Sequence, residues 1–201
     1  MCKLKSCIVL KDRIFCPDYD SHDKMLSELG VEDTRENAER LFVRVELSPI
    51  DDDVFSPINT WRMEVDQDIL PDWWVAEAEE PRVREAVAKW AKDHIFCDAK
   101  KLDLKNGTYY LKNSSAELYN NSSAELYGSS RADLYDNSRA KLCGSSSADL
   151  YDNSIGIISS IISEDHSNYT LKDNATLKDC KHKVIYQAGD WKLEEVPHAQ
   201  D

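Results

Sequence analysis

Ser114-Ser-Ala-Glu-Leu-Tyr-Asn-Asn is followed by Ser122-Ser-Ala-Glu-Leu-Tyr-Gly-Ser, Ser130-Arg-Ala-Asp-Leu-Tyr-Asp-Asn, Ser138-Arg-Ala-Lys-Leu-Cys-Gly-Ser and Ser146-Ser-Ala-Asp-Leu-Tyr-Asp-Asn, so the run from Asn113 to Ser154 repeats one octad five times. Ser, Ala and Leu stand at alternate positions, from Ser114, Ala116 and Leu118 to Ser146, Ala148 and Leu150. Alternation places all three on one face of an extended strand. A helix fits poorly, because an eight-residue repeat drifts around an axis of about 3.6 residues per turn, and Ser, Asn and Gly disfavour helix interiors. A disordered Ser/Asn linker is the other alternative, but a linker has no reason to place Leu at every eighth residue.

An unbroken strand would also turn residues 120, 128, 136, 144 and 152 inward. These are Asn, Gly, Asp, Gly and Asp, the types that best tolerate a left-handed backbone. The chain is therefore expected to turn there, once per octad. The corners alternate between Asn/Asp-Asn and Gly-Ser, which makes two octads the true period. The pattern predicts a flattened, two-sided β-solenoid stacked at about 4.8 Å. Its thin core is an Ala/Leu seam edged by Ser ladders. Outside, Tyr119, Tyr135 and Tyr151 stack beside Glu117, Asp133 and Asp149, while Tyr127 and Cys143 stack beside Glu125 and Lys141. Stacked carboxylates repel, and Arg131 is placed to offset part of that. The tyrosine ladder is a candidate partner-binding surface.

Ala132-Asp-Leu-Tyr-Asp136, Ala140-Lys-Leu-Cys-Gly144 and Ala148-Asp-Leu-Tyr-Asp152 resemble the Ala-Asp/Asn-Leu-x-x unit of pentapeptide-repeat proteins, with three residues inserted between successive units. Some members of that family mimic B-form DNA in shape and charge and inhibit DNA-binding enzymes. With its octads and the ending Gln187-Ala-Gly-Asp-Trp-Lys192, the chain is also similar to uncharacterised phage and prophage proteins. These have a small head, octads and a closing Gly-Asp-Trp strand. The resemblance implies a fold and a phage-like setting, and no catalytic residues.

The net charge is −13, and the surplus lies mostly before Ala99. That balance argues against direct nucleic-acid binding, which needs Lys and Arg against phosphate. It suits a protein partner with a basic surface. No window is long and apolar enough to span a membrane. Met1-Cys-Lys-Leu-Lys leads into a short strand rather than a signal peptide, so a cytoplasmic location is expected. The six cysteines lack framework spacing and are read as free thiols.

Before the octads, Ser6–Cys16 reads as a hairpin turning at Lys11-Asp12 and ended by Pro17. Ser21 caps a helix from His22 to Leu29 that Gly30 stops, and Thr34 caps a second through Leu41. Phe42–Leu47 is a strand with Val43, Val45 and Leu47 toward the core and Phe42, Arg44 and Glu46 opposite. Trp61–Val65 is a further strand. Pro81 suits the first residue of a last helix with an apolar stripe of Val83, Val87, Trp90 and Ala91. The fold class is α+β: a small acidic α/β head (1–98), a β-solenoid (99–180) and a C-terminal cap and tail (181–201). Leu102 and Tyr110 are placed in phase with Leu118, the pattern frays at Ile155-Gly-Ile-Ile, and the Trp191 region is the candidate cap.

Cys16, Asp18, Asp20 and His22 occupy every second position. On an extended backbone they would share a face as a metal site or a nucleophile with its base, although Pro17 and the helix start at Ser21 oppose that. Cys2, Cys7, His94 and Cys97 are further possible zinc ligands without paired Cys-x-x-Cys spacing. Asp51, Asp52 and Asp53, and Glu64, Asp66 and Asp68, could meet a hard cation but lack an EF-hand spacing. Asp72, Trp73 and Trp74 set two indoles beside a charge, a combination suited to anchoring an interface. The reading is a non-enzymatic, phage-type interaction protein without a cofactor, with the acidic Asp51–Asp53 and Asp72–Trp74 segments and the tyrosine ladder as partner-binding candidates. Its most specific form is an inhibitor of a host nucleic-acid-handling or defence protein. The rivals are a small metal- or thiol-dependent enzyme built on Cys16 and His22, and a structural repeat protein that self-associates as a homo-oligomer or binds a surface.

Overall fold

The computed structural model describes residues 4–158, 168–180 and 182–189 of the 201-residue chain. The chain divides into two compact units, Met1–Ile95 and Phe96–Asp201. The architecture is mixed α/β with few helices and a β-solenoid-like sheet of about four turns.

In the first unit, β1 (Lys5–Leu10) and β2 (Ile14–Phe15) form the expected hairpin on Lys11-Asp12, with Leu10 N–H donating to the Arg13 carbonyl at 2.8 Å. Ser21 caps α1 (His22–Leu29), which Gly30 stops at φ 68°. Thr34 caps α2 (Arg35–Ala38). This second helix ends at Ala38 rather than Leu41. Phe42 is already fully buried in β3 (Phe42–Ser48), and the chain tightens into bonds from Arg40 and Leu41 to the Asn37 carbonyl. Two 3₁₀ turns, Ile50–Asp52 and Ile58–Thr60, precede β4 (Arg62–Val65). The sheet is antiparallel, in the order β2-β1-β3-β4.

Both faces of this sheet are covered. Ile8 and Phe42 pack with Met25, Leu26 and Ala38 of the first two helices. Phe42 therefore belongs to the core, while Arg44 and Glu46 on its face remain half-exposed. The opposite face carries Cys7, Val9, Val43, Val45 and Leu47, all fully buried. Against β1 and β2 lies α3 (Ala76–His94). That helix begins at Ala76, not at Pro81, which sits within it. Ala76-Glu-Ala-Glu-Glu80 are strong helix formers with acids at the positive end of the helix dipole. Its buried stripe is Val83, Val87 and Trp90, extended by Glu79 and His94; Ala91 is half-buried.

In the second unit, β5 (Ile95–Cys97) pairs with β6 (Leu102–Lys112), and β6 pairs in parallel with β7 (Ser115–Tyr127). From β7 the stack runs up two sides. One side continues through β8 (Arg131–Leu134), β10 (Ser147–Leu150) and β12 (Asn168–Leu171). The other runs through β9 (Arg139–Leu142), β11 (Ile155–Ile158) and β13 (Thr176–Asp179). Ala116, Ala132 and Ala148 lie in register on the first side, and Ala124 and Ala140 on the second. The Ala and Leu residues of the octads are buried, with Ser114, Ser122, Ser130, Ser138, Ser146 and Ser154 beside them.

Left-handed residues stand where the octads require them: Asn120 (φ 59°), Gly128 (62°), Asp136 (58°), Gly144 (70°) and Asp152 (53°). The acidic corners also bond along the stack. Asn120 N–H donates to the Asp136 carboxylate (2.8 Å), Asp136 N–H to Asp152 (3.0 Å) and Asp152 N–H to Asp173 (3.3 Å). One side chain thus fixes its own corner to the corner of the preceding coil.

Three details depart from the expectation. Leu104 and Leu111, not Leu102 and Tyr110, stack on the leucines of β7, because the first coil is shorter and shifts register between Lys105 and Gly107. Cys143, expected on the outer face beside Tyr127, is buried. Ile155-Gly-Ile-Ile does not fray but forms β11, and a further coil follows in β12 and β13. There Leu177 lies in register with Gly156. The buried Asp179 accepts from His182 N–H at 2.9 Å and meets its Nδ1 at 2.7 Å. Antiparallel β14 (Val184–Gln187) covers the edge of β13. The Trp191 cap lies outside the described residues. Among the described residues, no helix is long and apolar enough to cross a membrane.

Candidate functional site

The alternating quartet of Cys16, Asp18, Asp20 and His22 does not converge. Pro17 and the Ser21 cap end the extended backbone, and each side chain finds a different partner. Cys16 neighbours Cys7. Asp18 meets His94 Nε2 at 3.3 Å. Asp20 accepts from Lys5 Nζ at 2.8 Å and from Ser6 N–H at 3.1 Å. His22 turns under the sheet toward Val45 and Asp66.

Lys5 organises this corner. It is fully buried, yet its ammonium also donates to the carbonyls of Pro17 (2.5 Å) and Tyr19 (3.3 Å) and lies 4.9 Å over the Trp90 ring. With three acceptors and one aromatic face, the buried charge is compensated. Lys5 stands in no motif, so composition and spacing do not point to it.

One group of metal-capable donors converges among the described residues: His22, Glu46 and Asp66, whose ligand atoms lie within 4.8 Å of one another. They come from the start of α1, from β3 and from the residue after β4. The His22 side chain is 9% exposed. Its Nε2 lies 3.4 Å from the Val45 carbonyl and its Nδ1 3.3 Å from the Asp66 carboxylate. Donation from Nε2 to the carbonyl leaves the Nδ1 lone pair facing the two carboxylates, the orientation a metal-bound imidazole takes. One imidazole and two carboxylates suit a divalent transition metal. The group lines a cleft of about 510 Å³ that also holds Asp20, Asp23 and an Arg44–Asp33 ion pair. Glu46 and Asp66 stand far down the chain from the quartet, which is why counting along the chain places His22 with Cys16 instead.

The other acidic candidates remain apart from one another. Asp51, Asp52 and Asp53 are exposed on a turn with left-handed Asp51 (φ 55°) and Asp52 (φ 57°), and Asp53 Oδ1 accepts from Phe55 N–H at 3.1 Å. Glu64 meets Arg62 at 3.9 Å and Asp66 belongs to the His22 group; Asp68 is exposed. Trp73 and Trp74 are half-buried in an edge-to-face pair with centroids 6.3 Å apart, beside an exposed Asp72. Trp73 Nε1 donates to the Arg40 carbonyl at 2.8 Å, so this indole is fixed from within. His94 stacks on Trp90 at 4.8 Å and approaches the Trp90 carbonyl through Nδ1 at 2.8 Å. Cys97 is exposed, and Cys2 lies outside the described residues.

On the solenoid, Tyr119, Tyr135 and Tyr151 stack with centroids 5.0 Å apart and planes 11° from parallel. A lysine closes each end: Lys105 Nζ lies 5.4 Å over Tyr119, and Lys172 Nζ 4.7 Å over Tyr151. Tyr119 donates to Glu117, and that bond with burial pushes the phenol up to about 12. Arg131 reaches Asp149 at 2.5 Å and Asp133 at 3.9 Å, spanning two coils of the acid row. Burial first, and then Asp149 and Glu117, still raise the Asp133 carboxyl above its ordinary value. On the second side, Glu125 accepts from Tyr127 at 2.5 Å and from Lys141 at 3.1 Å.

Searched against family models, curated proteins and solved structures, the chain matches none.

Proposed function

We propose that this is a non-enzymatic interaction protein. The Met1–Ile95 unit acts as an acidic head that engages a protein with a basic surface, and the coils, two octads each, form a rigid spacer or assembly surface. One observation carries the reading. Before Ala99 there are 23 acidic and 13 basic residues, and Asp51, Asp52, Asp53, Asp68 and Asp72 are all exposed there. A field of one sign steers a partner of the other and raises its association rate. The likeness of the octads to phage proteins supports the most specific form, an inhibitor of a bacterial nucleic-acid-handling or defence protein acting in the cytoplasm.

The test is capture of partners from bacterial lysate by the full chain and by Asp51→Asn/Asp52→Asn/Asp53→Asn, at low and high salt. A nucleic-acid-handling protein held at low salt, released at high salt and weakened by the triple variant is the expected result. Capture indifferent to salt and to the variant overturns the reading.

The His22, Glu46 and Asp66 group favours a second reading, a metal-dependent protein. Elemental analysis of the purified chain, compared with His22→Ala, decides it. Stoichiometric zinc or manganese lost in the variant supports metal dependence, and metal-free protein excludes a resident ion.

A further inference from the structure

The β1–β2 hairpin fixes more than a turn. Leu10 bonds Arg13, Val9 lies opposite Ile14, and Ile8 lies opposite Phe15. Opposed pairs in an antiparallel ladder alternate between hydrogen-bonded and non-hydrogen-bonded. Counted back from the bonded Leu10–Arg13 pair, Val9–Ile14 is non-bonded, Ile8–Phe15 is bonded, and the next pair, Cys7–Cys16, is non-bonded. Such pairs hold their Cα atoms about 4.5 Å apart with both side chains on one face. That spacing lies within the range of about 4.4–6.8 Å that a disulfide spans. The two thiols lie near enough that each is the largest single influence on the other.

We propose that Cys7 and Cys16 are a redox pair that closes to a cross-strand disulfide, with Cys16 as the sulfur oxidised first and Cys7 as the resolving thiol. The pair is asymmetric in the way this needs. Cys7 is fully buried, whereas Cys16 is half-buried beside the open end of the hairpin. The neighbouring Cys7 thiol and the charge of buried Lys5 hold the Cys16 thiol below its ordinary range, and Cys16 together with burial pushes Cys7 up. The reachable sulfur is thus the one with the larger thiolate share. The oxidant is hydrogen peroxide. The Cys16 thiolate attacks its O–O bond and gives up an electron pair to form sulfenic acid, and the departing hydroxide is protonated to water. The Cys7 sulfur then attacks Cys16, an S–S bond forms, and hydroxide leaves and takes up the Cys7 proton as a second water. The balance is one dithiol and one peroxide to one disulfide and two waters. Nothing in this chemistry depends on the proposed partner binding.

The full-length protein treated with graded hydrogen peroxide, quenched with N-ethylmaleimide and digested with trypsin gives the test. A linked pair of peptides, Ser6–Lys11 with Ile14–Lys24, is expected by mass spectrometry, reversed by dithiothreitol. It should form roughly tenfold faster than Cys97 is lost to oxidation, since thiolate share governs the rate. Cys7→Ala should accumulate a dimedone-reactive sulfenic acid at Cys16, and Cys16→Ala should lose the link without labelling Cys7. Oxidation of Cys16 to sulfinic acid while Cys7 stays open to alkylation overturns the proposal. So does oxidation of Cys97 at an equal rate, or first attack at Cys7. The wild-type cross-link alone decides the pairing, so a variant that fails to fold leaves the test intact.

Discussion

The two units bury apolar surface in opposite ways. In Met1–Ile95 each large side chain is used once: Trp61, Phe42, Met25 and Leu26 are all nearly or fully buried in surroundings that recur nowhere else. In Phe96–Asp201 the same small set returns octad after octad, with Leu118, Leu134 and Leu150 in one column and Leu126 and Leu142 in the other. A packed, irregular core ties every residue to many others, whereas a stack ties each level chiefly to its neighbours. Repetition therefore makes equivalent positions into controls for one another, and each exception in the stack measures a local cause.

The largest effect should come from truncating the seam. Leu134→Ala removes a fully buried side chain between two identical neighbours, and a loss of about 3 kcal/mol is expected in urea denaturation. Leu118→Ala should match it closely, while Leu26→Ala in the first unit has no such counterpart. Unequal costs at Leu118 and Leu134 would break the picture of equivalent levels.

Gly156 sharpens it. The equivalent octad positions before it hold Ala124 and Ala140, yet a Cβ at Gly156 would meet Leu177 Cδ1 at 2.5 Å and Leu150 Cδ2 at 3.0 Å. Gly156→Ala should cost about 1–3 kcal/mol by overpacking, and adding Leu177→Ala should remove that clash. A thermal melt of the single and double variants checks both.

The serine ladders offer a difference of sign at identical octad positions. Ser130 Oγ donates to Leu111 or Tyr127, whose carbonyls lie 3.0 and 2.7 Å away, whereas the buried Ser138 hydroxyl has no partner among the described residues. Ser130→Ala should lower stability by about 1 kcal/mol and Ser138→Ala should raise it by a similar amount. Two changes of the same sign would contradict the bonding difference.

The tyrosine ladder predicts a pH dependence. Tyr119 titrates at about 12 in the fold against an ordinary 10.0. A folded value above the unfolded one means that this group's stabilising share is fully present below about pH 10 and is lost as the pH rises through about 12. Tyr119→Phe should remove part of the phenolate absorbance that rises near pH 12, a region it shares with Tyr19. The smallest effect belongs to the acid row, where Asp133→Asn should gain a few tenths of a kcal/mol at neutral pH by relieving repulsion across coils.

Much of the second unit is legible in its residues alone. Alternation fixes which side chains go inward, and the Asn, Asp and Gly positions fix the corners, because both depend on a few adjacent residues. The Lys11-Asp12 turn is equally legible, and counting across it sets Cys7 opposite Cys16, although no spacing motif draws the eye there. The start of α3 is harder to place. Pro81 is a strong local signal for a first helical turn, but the helix-forming residues ahead of it outweigh that signal.

The sequence alone determined the repeat, its period, its inward seam and the acidic bias of its first half, since each follows from local backbone preference or a sum of charges. The tertiary structure decided that His22 leaves Cys16 for Glu46 and Asp66, that Lys5 is buried among carbonyls, and that Cys143 is buried. Those outcomes depend on which strands pair and which helix covers which face. Such contacts join residues far apart in the chain, and no local preference encodes their distance.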